Sequence, residues 1–154
     1  QGNYQEALVN YEKANSIKPD ASYGELIRNV RAEYANQLLD GAIREQTAGN
    51  NDAAIAGYKK VIGMVENNAS AWYNLATAYQ ASMRDKDALD AYQRAYKLDP
   101  TNQSEALFFS ATILEEQRKL PDAIEMYGKY MAVAPTGTYV KDAKARQDYI
   151  KSFL

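Results

Sequence analysis

The apolar positions of this chain recur at helical spacing, and the same short stripe returns four times. Ala, then Leu or Ile, then Tyr three residues on, stands at Ala7-Leu8-Tyr11, Ala54-Ile55-Tyr58, Ala88-Leu89-Tyr92 and Ala123-Ile124-Tyr127. Each stripe runs on through residues three and six beyond its tyrosine: Ala14 and Ile17, Val61 and Met64, Ala95 and Leu98, Tyr130 and Val133. Residues three and four apart share one face of a helix, so every copy predicts an amphipathic helix with one side to bury. Pro19, Pro100 and Pro135 close three of the copies, where a proline can stop a helix but not continue it; Glu66 holds that slot in the remaining copy.

The copies begin at 7, 54, 88 and 123, so the intervals are 47, 34 and 35 residues. A period in this range is the mark of stacked helical units. Upstream of the third copy, the stretch AWYNLATAY at 71–79 puts Trp72, Leu75, Ala76 and Tyr79 on one stripe, ahead of Ala88, Tyr92, Ala95 and Pro100. These positions resemble the signature of the tetratricopeptide repeat (TPR), a helix-turn-helix unit, with Ala76 where the family usually has glycine. The resemblance implies an all-α fold, an α-α superhelical solenoid of antiparallel helix pairs, with repeats at 35–68, 69–102 and 104–137. Residues 1–20 are then the second helix of a truncated repeat. The outer units depart from the pattern: Leu38 and Leu107 stand where Trp72 stands, Gly41 and Ser110 replace Leu75, and Glu45 and Leu114 replace Tyr79. Small residues at Ala42, Ala76 and Ala111, and at Ala54, Ala88 and Ala123, let two helices approach closely, while Tyr58, Tyr92 and Tyr127 fill the wedge to the next unit.

The first interval exceeds a repeat by 13 residues, and the surplus, 22–34, holds no proline and no loop-like cluster. Tyr23, Ile27, Val30, Tyr34 and Leu38 continue a single stripe, so residues 21–34 are expected to extend the next helix, giving one long helix from about Ser22 to about Gln46. At ~1.5 Å per residue the registration shifts by roughly 20 Å. The long helix is therefore expected to join two sub-arrays. Beyond Gly137, the positions Tyr139, Ala143, Arg146 or Gln147, Ile150 and Phe153 or Leu154 share a face that matches no repeat, so 138–154 is expected to be a C-terminal capping helix over the open end.

In the family that this chain resembles, the first helix of each unit lines a concave groove. Carried onto this chain, the resemblance implies a peptide-binding groove at Leu39, Ile43, Tyr73, Asn74, Thr77, Gln80, Phe108, Thr112 and Glu115, with an acidic edge at Glu105, Glu115 and Glu116. Large apolar side chains outside the core positions are expected to be partly exposed, and an apolar patch with a polar rim suits a bulky anchor of an extended or helical segment. Some family members clamp a chaperone's C-terminal carboxylate with Lys, Asn and Arg. Of those slots only Asn74 matches here, and Leu39, Ile43, Glu105 and Phe109 occupy the others.

Composition narrows the chemistry. Cys and His are both absent, which removes disulfides, thiol nucleophiles, histidine acid/base catalysis and the common zinc sites, so no catalytic residues, metal site or cofactor are expected. Eighteen Lys and Arg stand against 20 Asp and Glu, a net charge of -2, which lacks the footprint of a nucleic-acid binder. No apolar run reaches the ~18 residues of a membrane span. The chain opens on Gln1 and reads as a segment of a longer protein, in cytoplasm or periplasm alike. Two functions follow as expectations: a scaffold that captures another protein, or an assembly segment that pairs through its N-terminal helix face (Leu8, Tyr11, Ile17) or its cap.

Overall fold

A computed structural model describes residues 3–154. Among them, eight helices and no strand are present: α1 (Tyr4–Ile17), α2 (Ala21–Thr47), α3 (Asn51–Met64), α4 (Ala69–Ala81), α5 (Asp85–Leu98), α6 (Glu105–Glu116), α7 (Leu120–Val133) and α8 (Val140–Lys151). The chain divides into two compact units, Gln1–Asn67 and Asn68–Leu154.

In the first unit, α2 is unbroken for 27 residues, about 40 Å at the usual helical rise. It starts where the Asp20 carboxylate accepts the Ser22 amide at 2.8 Å, satisfying an amide that has no partner within the helix. The N-terminal portion of α2 carries α1: Tyr4 stacks on Tyr34 with ring centres 6.3 Å apart, and Arg31 pairs with Glu12 at 2.8 Å. The C-terminal portion carries α3. There the two backbones come so close that a Cβ at Gly57 would lie 2.7 Å from the Cβ of Ala42. Tyr58, Val61, Ala54 and Ile55 are the buried side of α3.

The second unit pairs α4 with α5 and α6 with α7, and α8 closes on α7. Asn68 caps α4 through the Ala71 amide at 2.9 Å. Its buried positions are Leu75, Ala76, Ala78 and Tyr79 on α4, Ala88, Ala91, Tyr92 and Ala95 on α5, and Ala123, Tyr127 and Tyr130 on α7. Small alanines and large tyrosine rings thus share the buried side of each helix pair.

Each tight turn within a helix pair is made by one left-handed residue at the same place in the period: Gly49 (φ 84°), Met83 (φ 57°) and Arg118 (φ 60°). Asn50, next to the left-handed Gly49, has φ -82° and donates its side-chain amide to Glu45 at 2.9 Å. The C-terminal stripe also ends sooner than the spacing predicts. Ala143 and Ile150 are buried, but α8 stops at Lys151, and Phe153 and Leu154 lie exposed past its last turn.

Gly57→Val places two methyl groups into the α2–α3 crossing. The expected loss is about 1–3 kcal/mol in chemical denaturation, the range for overfilling a packed interior; an unchanged midpoint would show that the crossing is loose.

Candidate functional site

The residues singled out as a groove divide between the units. Leu39, half-buried, and Ile43, exposed, lie on α2 in the first unit. Tyr73, Asn74, Thr77 and Gln80 lie on α4, and Phe108, Thr112 and Glu115 on α6, in the second.

Two of the expected contact residues, Gln80 and Glu115, have structural partners that the spacing did not foretell. Gln46, Gln80 and Glu115 hold the same place in three successive helix pairs. Each accepts the hydroxyl of the tyrosine 12 residues later on the paired helix: Tyr58 to Gln46 at 2.5 Å, Tyr92 to Gln80 at 3.0 Å and Tyr127 to Glu115 at 2.7 Å. A buried phenol left without a partner costs about 1–3 kcal/mol, so these residues bracket each pair. Burial pushes the Tyr58 phenol up to about 12 and the Tyr92 phenol well above its ordinary value; Tyr127 is raised by burial and by its hydrogen bond to Glu115.

Glu115 has a further bond, to Arg146 of α8 at 3.0 Å. The expected acidic edge is thereby reduced at Glu115, whose carboxylate is shared between a phenol and a guanidinium, while Glu116 is exposed.

Phe108 was expected to be partly exposed in the groove, and it is buried instead, at 6%. Tyr139, at the start of the cap, stacks on it with ring centres 4.5 Å apart and planes 11° from parallel. The device that sets Tyr139 there is Tyr130, the residue that breaks the small-residue rule of its stripe. Its hydroxyl accepts the Tyr139 amide at 3.0 Å, and the turn it fixes leaves room only for glycine: a Cβ at Gly137 would lie 2.5 Å from that hydroxyl. The unusual Tyr130 was thus a signal for the cap.

What remains open on α4 and α6 is a half-buried surface of Tyr73, Asn74, Thr77 and Thr112, joined by Phe109, which holds one of the clamp slots. Phe109 stacks on Tyr92 (5.9 Å, 15°) and meets Tyr73 and Tyr139 edge-on at 6.3 and 5.3 Å. Thr77 and Thr112, at equivalent places, each turn the hydroxyl back to a carbonyl of their own helix, Asn74 and Phe109, at 2.8 Å. At the edge, the Tyr73 hydroxyl lies 3.4 Å from Glu105. Glu105 sits in the first turn of α6, where a negative charge faces the positive helix end.

A depression of about 580 Å³ lies on another side of α6, between α5 and α7. Leu89, Tyr96, Leu107, Leu114, Met126 and Val133 line it, with Asp90, Gln93, Ser110 and Lys129 among them. Among the described residues, no group of three or more His, Cys, Asp or Glu side chains could hold a metal ion, and no helix is long and apolar enough to cross a membrane.

Antiparallel helix pairs repeated at 34–35 residues, with alanine crossings and bracketed tyrosines, define an all-α helical-repeat protein. Residues 69–102 match the family model of the tetratricopeptide repeat, and the chain has the tetratricopeptide-repeat fold. It is similar to the OM64 TPR domain of Arabidopsis (16% identity, 80% of this chain and 99% of that one, TM-score 0.72). It is also similar to the second TPR domain of human RPAP3 solved with the HSP70 peptide SGPTIEEVD (22%, 79% and 98%, 0.69). A third similar structure is the Yersinia enterocolitica type III secretion chaperone SycD in complex with a peptide of the translocator YopD (15%, 77% and 93%, 0.71). No curated protein matches the chain.

The raised phenols set an alkaline limit to stability. A buried phenol favours its neutral form, so its contribution is complete below the ordinary value of 10.0 and is lost as pH rises through about 12. Titration of phenolate absorbance should therefore show the Tyr58, Tyr92 and Tyr127 phenols ionising only as helicity is lost. A single class ionising near pH 10 in folded protein would contradict the burial described.

Proposed function

We propose that this chain is a non-catalytic protein-interaction scaffold, and that the shared face of α4 and α6 takes a peptide or an amphipathic helix of another protein. The observation that carries this reading is the half-buried surface of Tyr73, Asn74, Thr77, Phe109 and Thr112, where side chains are presented from two rigid helices rather than from loops. Its aromatic rings offer pockets for a bulky anchor, and Asn74 offers donors and an acceptor to a peptide backbone. Leu39 and Ile43, at the same positions on α2, are proposed as contacts of the first unit by itself. The peptide complexes of RPAP3 and SycD, at 22% and 15% identity, support the class of ligand and not its sequence.

The ligand differs from a chaperone tail. A carboxylate clamp needs cations, and this surface sets Glu105 and Phe109 in two of those places. The peptide SGPTIEEVD is accordingly expected not to bind.

A second reading, assembly with another copy, is favoured by exposed apolar side chains at both ends: Val9 and Ile17 on α1, and Tyr149, Phe153 and Leu154 at the end of α8. Leu8, expected on that open face, packs instead in the core, so the α1 face is narrower than the stripe implied.

One experiment separates the two. Peptides selected from a random display library against the chain are measured on the chain and on Tyr73→Ala, with sedimentation of both. Capture supports the scaffold if binding falls about tenfold or more, the order of losing a buried aromatic anchor, while helicity and a monomer mass persist. A concentration-dependent dimer that is indifferent to Tyr73→Ala, with no peptide selected, would favour assembly.

A further inference from the structure

Glu105 presents a charge that no basic residue answers among the described residues. None of the ion pairs found there includes it, and the Tyr73 hydroxyl donates to it at a long 3.4 Å. The Tyr73 ring in turn meets Phe109 at 6.3 Å, and Phe109 meets Tyr139 at 5.3 Å, both edge to face. Edge-to-face packing leaves ring faces turned in different directions, and a ring face attracts a cation. A carboxylate beside such faces is complementary to an ammonium or guanidinium group, and half-burial reduces the screening by water.

A contact repeated along the unit underlines the point. Tyr73 and Phe108 occupy equivalent places on α4 and α6, and each meets the second residue of the following segment, Glu105 and Tyr139. In the later pair the contact is closed by stacking. In the earlier pair it is a stretched hydrogen bond, with carboxylate lone pairs left over.

We propose that the α4–α6 face recognises a basic peptide segment of another protein, with one Lys or Arg side chain seated on Glu105 against the rings of Tyr73, Phe109 and Tyr139. The rise of the Tyr73 phenol accords with this: burial is the largest cause, and Glu105, Tyr139 and Tyr130 each add to it, as in a place rich in negative and acceptor groups. This specificity rests on the reading of that face as a peptide site, and inverts the charge preference of a carboxylate clamp.

The test is a random-peptide display selection against the chain, with the selected peptides then synthesised. Binders are expected to carry one Lys or Arg at a fixed distance from an apolar residue. Glu105→Gln should weaken such a peptide about tenfold, the scale of a charged hydrogen bond, and leave unchanged the weaker binding of the same peptide with Met in place of the basic residue. Glu105→Lys should select acidic residues at that place instead. Circular dichroism checks that each variant folds. Binders without a basic residue, or an equal effect of Glu105→Gln on both peptides, would overturn the basic specificity while leaving the peptide site standing. Failure to select any binder would overturn both.

Discussion

A tyrosine ring buried at a helix crossing, with its hydroxyl tied to the paired helix, is the constraint on which the rest of this structure depends. The ring contributes the apolar area that an alanine-rich crossing lacks, and the hydroxyl has to be satisfied inside. Gln46, Gln80 and Glu115 do so for Tyr58, Tyr92 and Tyr127, always across 12 residues. That distance in sequence is the end of the first helix, the turn and the first half of the second, so the bond fixes how the second helix lies on the first. Among the described residues, no buried side-chain polar atom lacks a partner.

The same economy shapes the last helices. At the third pair the bracketing residue is an acid, and its extra charge is used to hold Arg146 of α8 as well as Tyr127. Tyr130 and Gly137 set the turn into α8, Tyr139 covers Phe108, and Gln147 donates to the Ile124 carbonyl at 2.8 Å. The cap therefore takes two side chains, Phe108 and Glu115, out of the surface that the family resemblance assigned to ligand. It returns one aromatic ring, Tyr139, beside Phe109. The surface that is left is smaller, more aromatic and less acidic than a count of groove positions implied.

Much of the fold was legible because the repeat writes its core in small residues at fixed spacing: Ala88, Tyr92 and Ala95 are all buried, as their stripe required. The absence of proline and of a loop-like cluster in 22–34 likewise made an unbroken helix the natural reading of α2. The site was less legible, for a physical reason. Position on a helix says which way a side chain leaves the backbone, and not what lies over it. Phe108 and Phe109 are neighbours in sequence, yet the cap buries the first and leaves the second half-open. Glu105 and Glu115 are both acids of α6, and tertiary contacts with Tyr127 and Arg146 distinguish the second. The left-handed turn was visible at Gly49 but hidden at Met83 and Arg118, residues that carry no turn signal of their own.

The central claim is that the face shared by α4 and α6 is a recognition surface. Nuclear magnetic resonance mapping with a library-selected peptide tests it most directly. The account predicts that amide and side-chain shifts move at Tyr73, Asn74, Thr77, Phe109 and Thr112, with Leu89, Tyr96, Met126 and Val133 of the opposite depression unmoved. Shifts confined to that depression, with the α4–α6 face silent, would contradict it.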